Sequence, residues 1–190
     1  MSLCHSLLSL NVRGLRESKK RRETFRWLKR FHNGTNSIIF LQETHTLAKD
    51  LSMWENEWGS KIYLSDFKSN SRGVAILLPK NFNFVIDSAN ISPDGRKIIL
   101  NITNDDTSYC LFNIYAPTQD LENEQFSFFT DLISDIEENL DKKLIIGGDL
   151  NLCLQAIDNS NNVLKKSKAR VQINQMLETY DLIDIWSVQY

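Results

Sequence analysis

The chain of 190 residues lacks several features that would assign it to a specialised class of protein. No apolar run approaches the length of a membrane-spanning helix, and residues 7–10 are too short and interrupted for a signal peptide. The three cysteines, Cys4, Cys110 and Cys153, are odd in number and fall in no metal-type pair spacing, so we expect them to be reduced. Internal repeats and linkers are absent as well. These absences favour one intracellular domain over residues 1–190, nuclear or cytoplasmic, with no membrane partner.

A strong net charge is also lacking, since the value of −2 argues against a protein that coats nucleic acid by bulk charge. The basic residues are nevertheless unevenly distributed, and two clusters are able to meet phosphates. We interpret the first cluster, residues 19–30, as the solvated face of a helix. The second cluster is either a mobile loop or a phosphate contact, and it comprises Lys165, Lys166, Lys168 and Arg170.

Hydrophobic periodicity predicts an α/β (α+β) fold of two packed sheets with helices outside them. The predicted strands are residues 6–11, 37–42, 61–65, 73–78, 82–89, 97–103, 108–115 and 144–146. The predicted helices are residues 19–31, 47–58, 121–140 and 170–180. In the third helix we expect six apolar residues to face inward: Phe126, Phe129, Leu132, Ile133, Ile136 and Leu140.

The most informative segment is IIGGDLN, residues 145–151. A short apolar strand enters a double glycine, which we interpret as a flexible turn, and delivers Asp149 and Asn151 at its C-terminal end. Asp149 is able to orient or deprotonate a water, and Asn151 is able to hold a phosphate oxygen. Taken alone, the segment is more typical of an Asx turn after a strand.

Polar side chains follow predicted strands at three more places: Asn11, Glu43 and Tyr115. Because strand ends converge at the edge of a sheet, we expect all five polar residues to share a cleft. Glu43 suits a hard divalent cation such as Mg²⁺, and Asn11 suits the same shell or a ligand water. Each also has a structural interpretation: a helix-opening acid for Glu43, a turn residue for Asn11 and a packed aromatic for Tyr115. The occurrence of all five favours a catalytic cleft over these separate structural interpretations.

Five motifs carry a resemblance to a known family. SLNVRGL (residues 9–15), LQETH (41–45), RGVAIL (72–77), NIYAP (113–117) and GGDLN (147–151) occur in the order seen in the endonuclease/exonuclease/phosphatase superfamily. The chain most resembles the apurinic-endonuclease-like domain of non-LTR (LINE-type) retrotransposons, and YDLIDIW (180–186) also fits that group. The resemblance covers essentially the whole chain and implies a four-layer α/β/β/α sandwich whose last strands are missing.

The resemblance implies a Mg²⁺-dependent endonuclease, with Mn²⁺ as an alternative metal, that nicks double-stranded DNA. Glu43 would be the main protein ligand with Asn11 beside it, Tyr115 and Asn151 would contact the scissile phosphate, and Asp149 would activate water. The 3′-OH product would prime a reverse transcriptase in the same polyprotein. Further candidate DNA contacts are His45, Arg72, Thr118, Lys165, Lys166 and Lys168.

The pattern departs from the family after Trp186, where a Thr-Trp motif, an Arg-Ile-Asp strand and a terminal Ser-Asp-His are expected. The histidines, His5, His32 and His45, all precede Gly147, so none is that C-terminal histidine. We therefore expect this chain to be a weak or inactive nuclease, either a truncated copy or a partial gene product. Alternatives are an abasic-site repair endonuclease, a phosphoinositide-type phosphatase, and a non-catalytic DNA-binding remnant.

Overall fold

A computed structural model describes residues 6–31, 37–155 and 167–185 of the protein. Within these ranges the chain forms eight β-strands and four α-helices, as an α/β sandwich. The strands are β1 (Ser6–Asn11), β2 (Ser37–Gln42), β3 (Ile62–Ser65), β4 (Val74–Leu77), β5 (Val85–Ile91), β6 (Lys97–Asn104), β7 (Thr107–Tyr115) and β8 (Lys143–Asp149). The helices are α1 (Ser18–Phe31), α2 (Leu51–Trp58), α3 (Glu122–Glu137) and α4 (Lys168–Thr179). The predicted fold class is confirmed.

The described residues divide into two compact units. The first takes its residues from Met1–Tyr115 and Asp141–Asp149, and the second from Ala116–Leu140 and Leu150–Tyr190. All eight strands and helices α1 and α2 belong to the first unit. Helices α3 and α4 belong to the second, where they pack against each other.

Two four-stranded sheets form the frame of the first unit. One has the order β1-β2-β4-β3 and the other the order β5-β6-β7-β8. In each sheet one pair is parallel, β1 with β2 and β7 with β8, whereas the remaining pairs are antiparallel. The register places Asn11 opposite Gln42 and Tyr115 opposite Asp149. Since parallel strands end at the same edge, each pair delivers its following residues to one place.

Strand β2 shows how the sequence builds this frame, because all six of its residues are buried, as its continuous apolar run predicts. Ile38 and Phe40 point to the second sheet, where they join one apolar cluster. Ile39 and Leu41 point the other way and join a second cluster that includes residues of α1 and α2. The two-residue alternation of a strand thus serves both cores of the first unit.

Three expectations need correction. The double glycine is not a turn, because Gly147 and Gly148 are the fifth and sixth residues of strand β8. Strand β5 begins at Val85 rather than at residue 82, and Phe82 and Phe84 stack on each other before it. In the second unit Phe126 and Leu140 are exposed by 42% and 52%, since Phe126 lines a groove between α3 and α4 and Leu140 lies beyond the end of α3. The other inward-facing residues of α3 are buried or half-buried.

No helix in the described ranges is long and apolar enough to cross a bilayer.

Candidate active site

Four of the five predicted polar residues meet in the first unit. The Asn11 side-chain Nδ2 donates hydrogen bonds to Glu43 Oε1, at 2.9 Å, and to Asp149 Oδ2, at 2.8 Å. The Tyr115 hydroxyl donates to the same Glu43 oxygen at 3.1 Å. We call Asn11, Glu43, Tyr115 and Asp149 the site cluster. It joins strand ends from both sheets through the bonds of Asn11 with Asp149 and of Tyr115 with Glu43.

The backbone around the site cluster adopts conformations that side chains usually avoid. Arg13, Glu43, His45 and Arg72 have positive φ angles of 46°, 53°, 56° and 58°. Left-handed backbone costs about 1–3 kcal/mol at a non-glycine residue, and it persists where surrounding bonds hold it. Here backbone hydrogen bonds connect the loops: the Gly14 amide donates to the carbonyl of Glu43 at 2.6 Å, and the His45 amide donates to the carbonyl of Arg72 at 3.0 Å. Strain of this kind is typical of functional sites.

The close approach of β7 and β8 depends on Gly148. Its φ is +137°, and a Cβ at this position would collide with the backbone carbonyl of Ile114 in the neighbouring strand. Only glycine therefore lets β8 continue to Asp149 beside Tyr115. The second glycine of the segment places Asp149 in the site cluster.

A buried pair of amides, absent from the sequence predictions, lies immediately before the site cluster in two strands. Gln42 Nε2 donates to Asn113 Oδ1 at 2.8 Å, and Asn113 Nδ2 donates to the carbonyls of Ala75, at 2.8 Å, and Leu41, at 3.2 Å. Gln42 is 1% exposed and Asn113 is fully buried. We call Gln42 and Asn113 the amide bridge, because it links β2 and β4 of one sheet to β7 of the other. The sequence does contain a signal for this pair, because Gln42 and Asn113 are polar residues within apolar runs that predict buried strands.

Arg96 is a second residue beside the site cluster that the sequence analysis did not predict. It is 7% exposed, its Nη1 donates to the carbonyl of Tyr115 at 3.1 Å, and its guanidinium lies 5.7 Å from the centre of the Tyr115 ring. Arg72, predicted as a DNA contact, lies 4.4 Å from the centre of the Phe67 ring, and its Nη1 lies 4.0 Å from Asp94 Oδ2. Asp94 also lies 3.8 Å from Arg96 Nε. These contacts fix the loops on the Tyr115 side of the site cluster.

His45 lies beside the site cluster, with its Nε2 3.9 Å from Glu43 Oε2 and a side chain that is 23% exposed. Its ring packs over Gly14, where a Cβ would lie 2.9 Å from Nδ1. The position agrees with an edge residue of the site.

Asn151 and Thr118 belong to the second unit. Asn151 has a φ of 47° and its Nδ2 donates to Ala116 O at 2.8 Å. The buried Gln125 donates to the carbonyls of Asn151, at 3.2 Å, and Pro117, at 2.7 Å. Gln125 thus ties the two segments that follow β7 and β8, and the sequence analysis missed it. Thr118 is exposed before a short 3₁₀ helix.

The predicted basic contacts after residue 160 are only partly described. Lys168 is exposed as the first residue of α4, which Ser167 caps through its hydroxyl. Lys165 and Lys166 lie outside the described residues. The arginine of this segment, Arg170, donates through Nε to Cys153 O at 2.9 Å.

The site cluster offers a small set of hard oxygen donors. Within the described part of the chain, no group of three or more His, Cys, Asp or Glu side chains is arranged as a metal site. Mg²⁺ needs less than that, because it keeps several waters and binds through one or two carboxylates together with substrate phosphates. The carboxylates of Glu43 and Asp149, which share the Asn11 amide as a donor, fit this requirement. The cluster can hold a hard cation and position a water beside it.

Comparison with known proteins identifies the family. The model of the Endonuclease/Exonuclease/phosphatase family matches residues 8–182, and the chain belongs to this family. The resemblance inferred from the five motifs is therefore confirmed. The family comprises hydrolytic enzymes of the nuclease type and is generally metal-dependent.

Known relatives include a transposon protein. Over 185 residues, 97% of the chain, the sequence is 31% identical to the transposon TX1 uncharacterized 149 kDa protein of Xenopus laevis. The chain spans 14% of that protein's length. This similarity agrees with the narrower resemblance to retrotransposon domains.

Solved structures show the same fold. The AP endonuclease LMAP from Leishmania major is similar with a TM-score of 0.76 and 15% identity, over 98% of this chain and 69% of that one. D. rerio TDP2, complexed with a single strand DNA product, is similar with a TM-score of 0.61 and 18% identity, over 78% and 61% of the two chains. At these identities the likeness shows the fold alone.

Proposed function

We propose that this chain is the endonuclease domain of a non-LTR retrotransposon protein and occupies residues 1–190 as one domain. It would nick double-stranded DNA by hydrolysing one phosphodiester bond, leaving a 3′-OH and a 5′-phosphate. The observation that carries the proposal is the Asn11 amide, which bonds both to Glu43 and to Asp149 and so joins two carboxylates at the strand ends. The similarity to a transposon protein supports the choice of DNA as substrate.

Each residue of the site cluster has a role in this proposal. Glu43 would hold Mg²⁺, or Mn²⁺ in its place, with Asn11 beside it. When bound, the cation supplies Lewis-acid polarisation of the phosphoryl oxygen and stabilises the departing 3′ oxygen. Asp149 accepts a proton from the attacking water, while the Asn11 amide orients its carboxylate. Tyr115 donates to an oxygen of the scissile phosphate.

The bond changes balance without a further reactant. The water oxygen bonds to phosphorus, the P–O3′ bond breaks, the water proton passes to Asp149, and the departing 3′ oxygen takes a proton from solvent. The free 3′-OH then suits a polymerase that extends DNA from a nick. We propose that this polymerase is a reverse transcriptase in the same polyprotein.

Plasmid nicking tests the proposal. In a chain extended through the missing strands, relaxation of supercoiled DNA with Mg²⁺ should be lost in Glu43→Gln and Asp149→Asn, while Lys80→Gln, which changes an exposed residue, should retain it. Direct binding of Mn²⁺, followed by its paramagnetic signal, should weaken in Glu43→Gln even if turnover is slow. Nicking that survives both substitutions would contradict the assignment of the site.

The choice of substrate separates the alternatives. Faster cleavage of DNA with abasic sites than of intact duplex would favour repair, and release of phosphate from phosphoinositide vesicles would favour a lipid phosphatase. Salt-dependent DNA binding without cleavage, by this chain and by the longer protein from the same reading frame, would favour a non-catalytic remnant.

A further inference from the structure

Helix α1 carries a row of basic side chains that have no role in the reaction proposed for the site cluster. Four of them recur at intervals of three or four residues and are exposed: Lys19, Arg22, Arg26 and Arg30. This spacing places them on one face over three turns, a length of about 16 Å. Phe25 and Leu28, on the opposite face, are buried in the core. We call the four exposed residues the basic stripe.

The basic stripe works against the stability of its own helix. The first turn of α1 contains no acidic residue, so Lys19 lies at the positive end of the helix dipole, and Glu17 lies just outside the helix. Arg22, Arg26 and Arg30 are spaced four residues apart, where like charges repel each other. Within the described residues, none of the four forms an ion pair with a carboxylate. Arg22 acts electrostatically on the Glu57 carboxylate, which Arg21 already pairs, so the row keeps an excess of positive charge that an external anion would offset.

The basic stripe begins beside the site cluster. Lys20, in the first turn of α1, donates through Nζ to the carbonyls of Val12 and Arg13, each at 2.8 Å. Arg13 N in turn donates to Asn11 Oδ1 at 3.1 Å. The N-terminal end of α1 is therefore tethered to the loop that carries Asn11, and the stripe continues along the helix from this end.

We infer that the basic stripe binds the phosphate backbone of duplex DNA outside the site cluster, so that α1 holds the strand while one phosphate is hydrolysed. The identity of the ligand rests on the proposed function. Helix α1 has seven basic residues and one acidic residue in a chain of net charge −2, so the remainder of the chain is acidic on average and α1 concentrates positive charge. Duplex DNA carries one charge per about 1.7 Å of axis, so a row of about 16 Å faces several phosphates. Guanidinium groups also match phosphate geometry.

The test is the salt dependence of binding to a fluorescent duplex longer than the stripe. The triple variant Arg22→Gln/Arg26→Gln/Arg30→Gln should lower the slope of log K against log salt by about 2 to 3, because each phosphate contact contributes about 0.9. A control variant, Lys49→Gln/Lys80→Gln/Lys143→Gln, removes the same charge from exposed positions elsewhere and should lower the slope by less than about 1. Replacement of the three arginines by lysine should restore the slope. Thermal melts confirm that each variant is folded.

Three results would overturn the inference. The first is an equal slope in the stripe variant and the control variant, and the second is a stripe variant with the slope of the unmodified protein. The third is tighter binding to vesicles of anionic lipid than to duplex DNA, with that binding lost in the stripe variant. The proposed function fails separately. Measured on a chain extended through the missing strands, a stripe-dependent slope without any nicking supports the inference and contradicts the nuclease, whereas nicking with an unchanged slope does the reverse.

Discussion

The site cluster and the amide bridge are adjacent in the first unit and both consist of polar side chains, yet solvent reaches only the site cluster. Glu43 keeps 25% of its side chain exposed, whereas Gln42, its neighbour in sequence, is 1% exposed. Asn113, two residues before Tyr115, is fully buried and makes three hydrogen bonds. Burial without partners is costly, so the bridge must be satisfied, and it therefore contributes to holding the two sheets together.

The site cluster, in contrast to the amide bridge, is expected to lower the stability of the fold. It gathers two carboxylates around a single amide and rests on left-handed backbone at Glu43, arrangements that cost stability. The comparison separates two uses of polar residues: the buried pair stabilises the fold, whereas the partly exposed set has the chemical role that we propose for it. Substitutions should therefore affect stability at one and activity at the other.

The largest effect is expected in the site cluster. In a chain extended through the missing strands, Glu43→Gln and Asp149→Asn should each lower the rate of cation-dependent nicking by about 10²–10⁴-fold, since each removes a charge required in the proposed reaction. The free energy of unfolding should stay the same within about 0.5 kcal/mol or rise, because repulsion between the carboxylates is removed. Gel assays of nicking and urea unfolding measure the two quantities. Equal losses of stability and activity in these variants would contradict the distinction between the site cluster and the amide bridge.

The next effect is expected at Gly148. A methyl group there meets the backbone of Ile114, so Gly148→Ala should destabilise the protein by about 3 kcal/mol or more. Gly147→Ala is the matched control, because its Cβ would meet side chains, the Phe40 ring at 2.9 Å and Leu7 at 3.8 Å, and a side chain can adjust. Urea unfolding of both variants provides the measurement. Equal losses would show that β8 shifts away from β7 at low cost.

A smaller effect is expected in the amide bridge. Gln42→Leu and Asn113→Leu should each cost about 1–3 kcal/mol, since each leaves buried groups unpaired. The double variant should cost less than the sum of the two, because apolar groups replace both partners. A double-mutant cycle of unfolding free energies gives this coupling. Additive costs would indicate that the two amides act independently.

The smallest effect is expected at the pair of Arg21 and Glu57, where solvent partly reaches the acid. The hydrogen bond from Arg21 holds the pKa of Glu57 below its ordinary value of about 4.3, against the opposing effect of burial. The ionised form therefore adds stability above that value, and this contribution is lost as the pH falls through the lowered folded pKa. In the comparison of wild type with Glu57→Gln, the difference in unfolding free energy should shrink below about pH 4. A pH-independent difference would contradict this account.

Much of the frame follows from the sequence. The bounds of β1 and β2 agree with their apolar runs, and the alternation in β2 assigns Ile38 and Phe40 to one core and Ile39 and Leu41 to the other. The candidate residues Asn11, Glu43, Tyr115 and Asp149 follow from their positions at strand ends. Their individual roles stay predictions, because convergence alone does not assign chemistry.

The sequence by itself determined the strands, the order of the motifs and which polar residues end each strand, because periodicity and turn chemistry act over a few neighbouring residues. Only the tertiary structure decided that Asn11 bonds to Asp149, 138 positions away, and that Gln42 faces Asn113 across two sheets. It also decided that Gly148 extends a strand, since that conformation depends on the backbone of Ile114 in a neighbouring strand. Hydrogen-bond partners and close backbone contacts depend on sheet order and register, which no local pattern encodes.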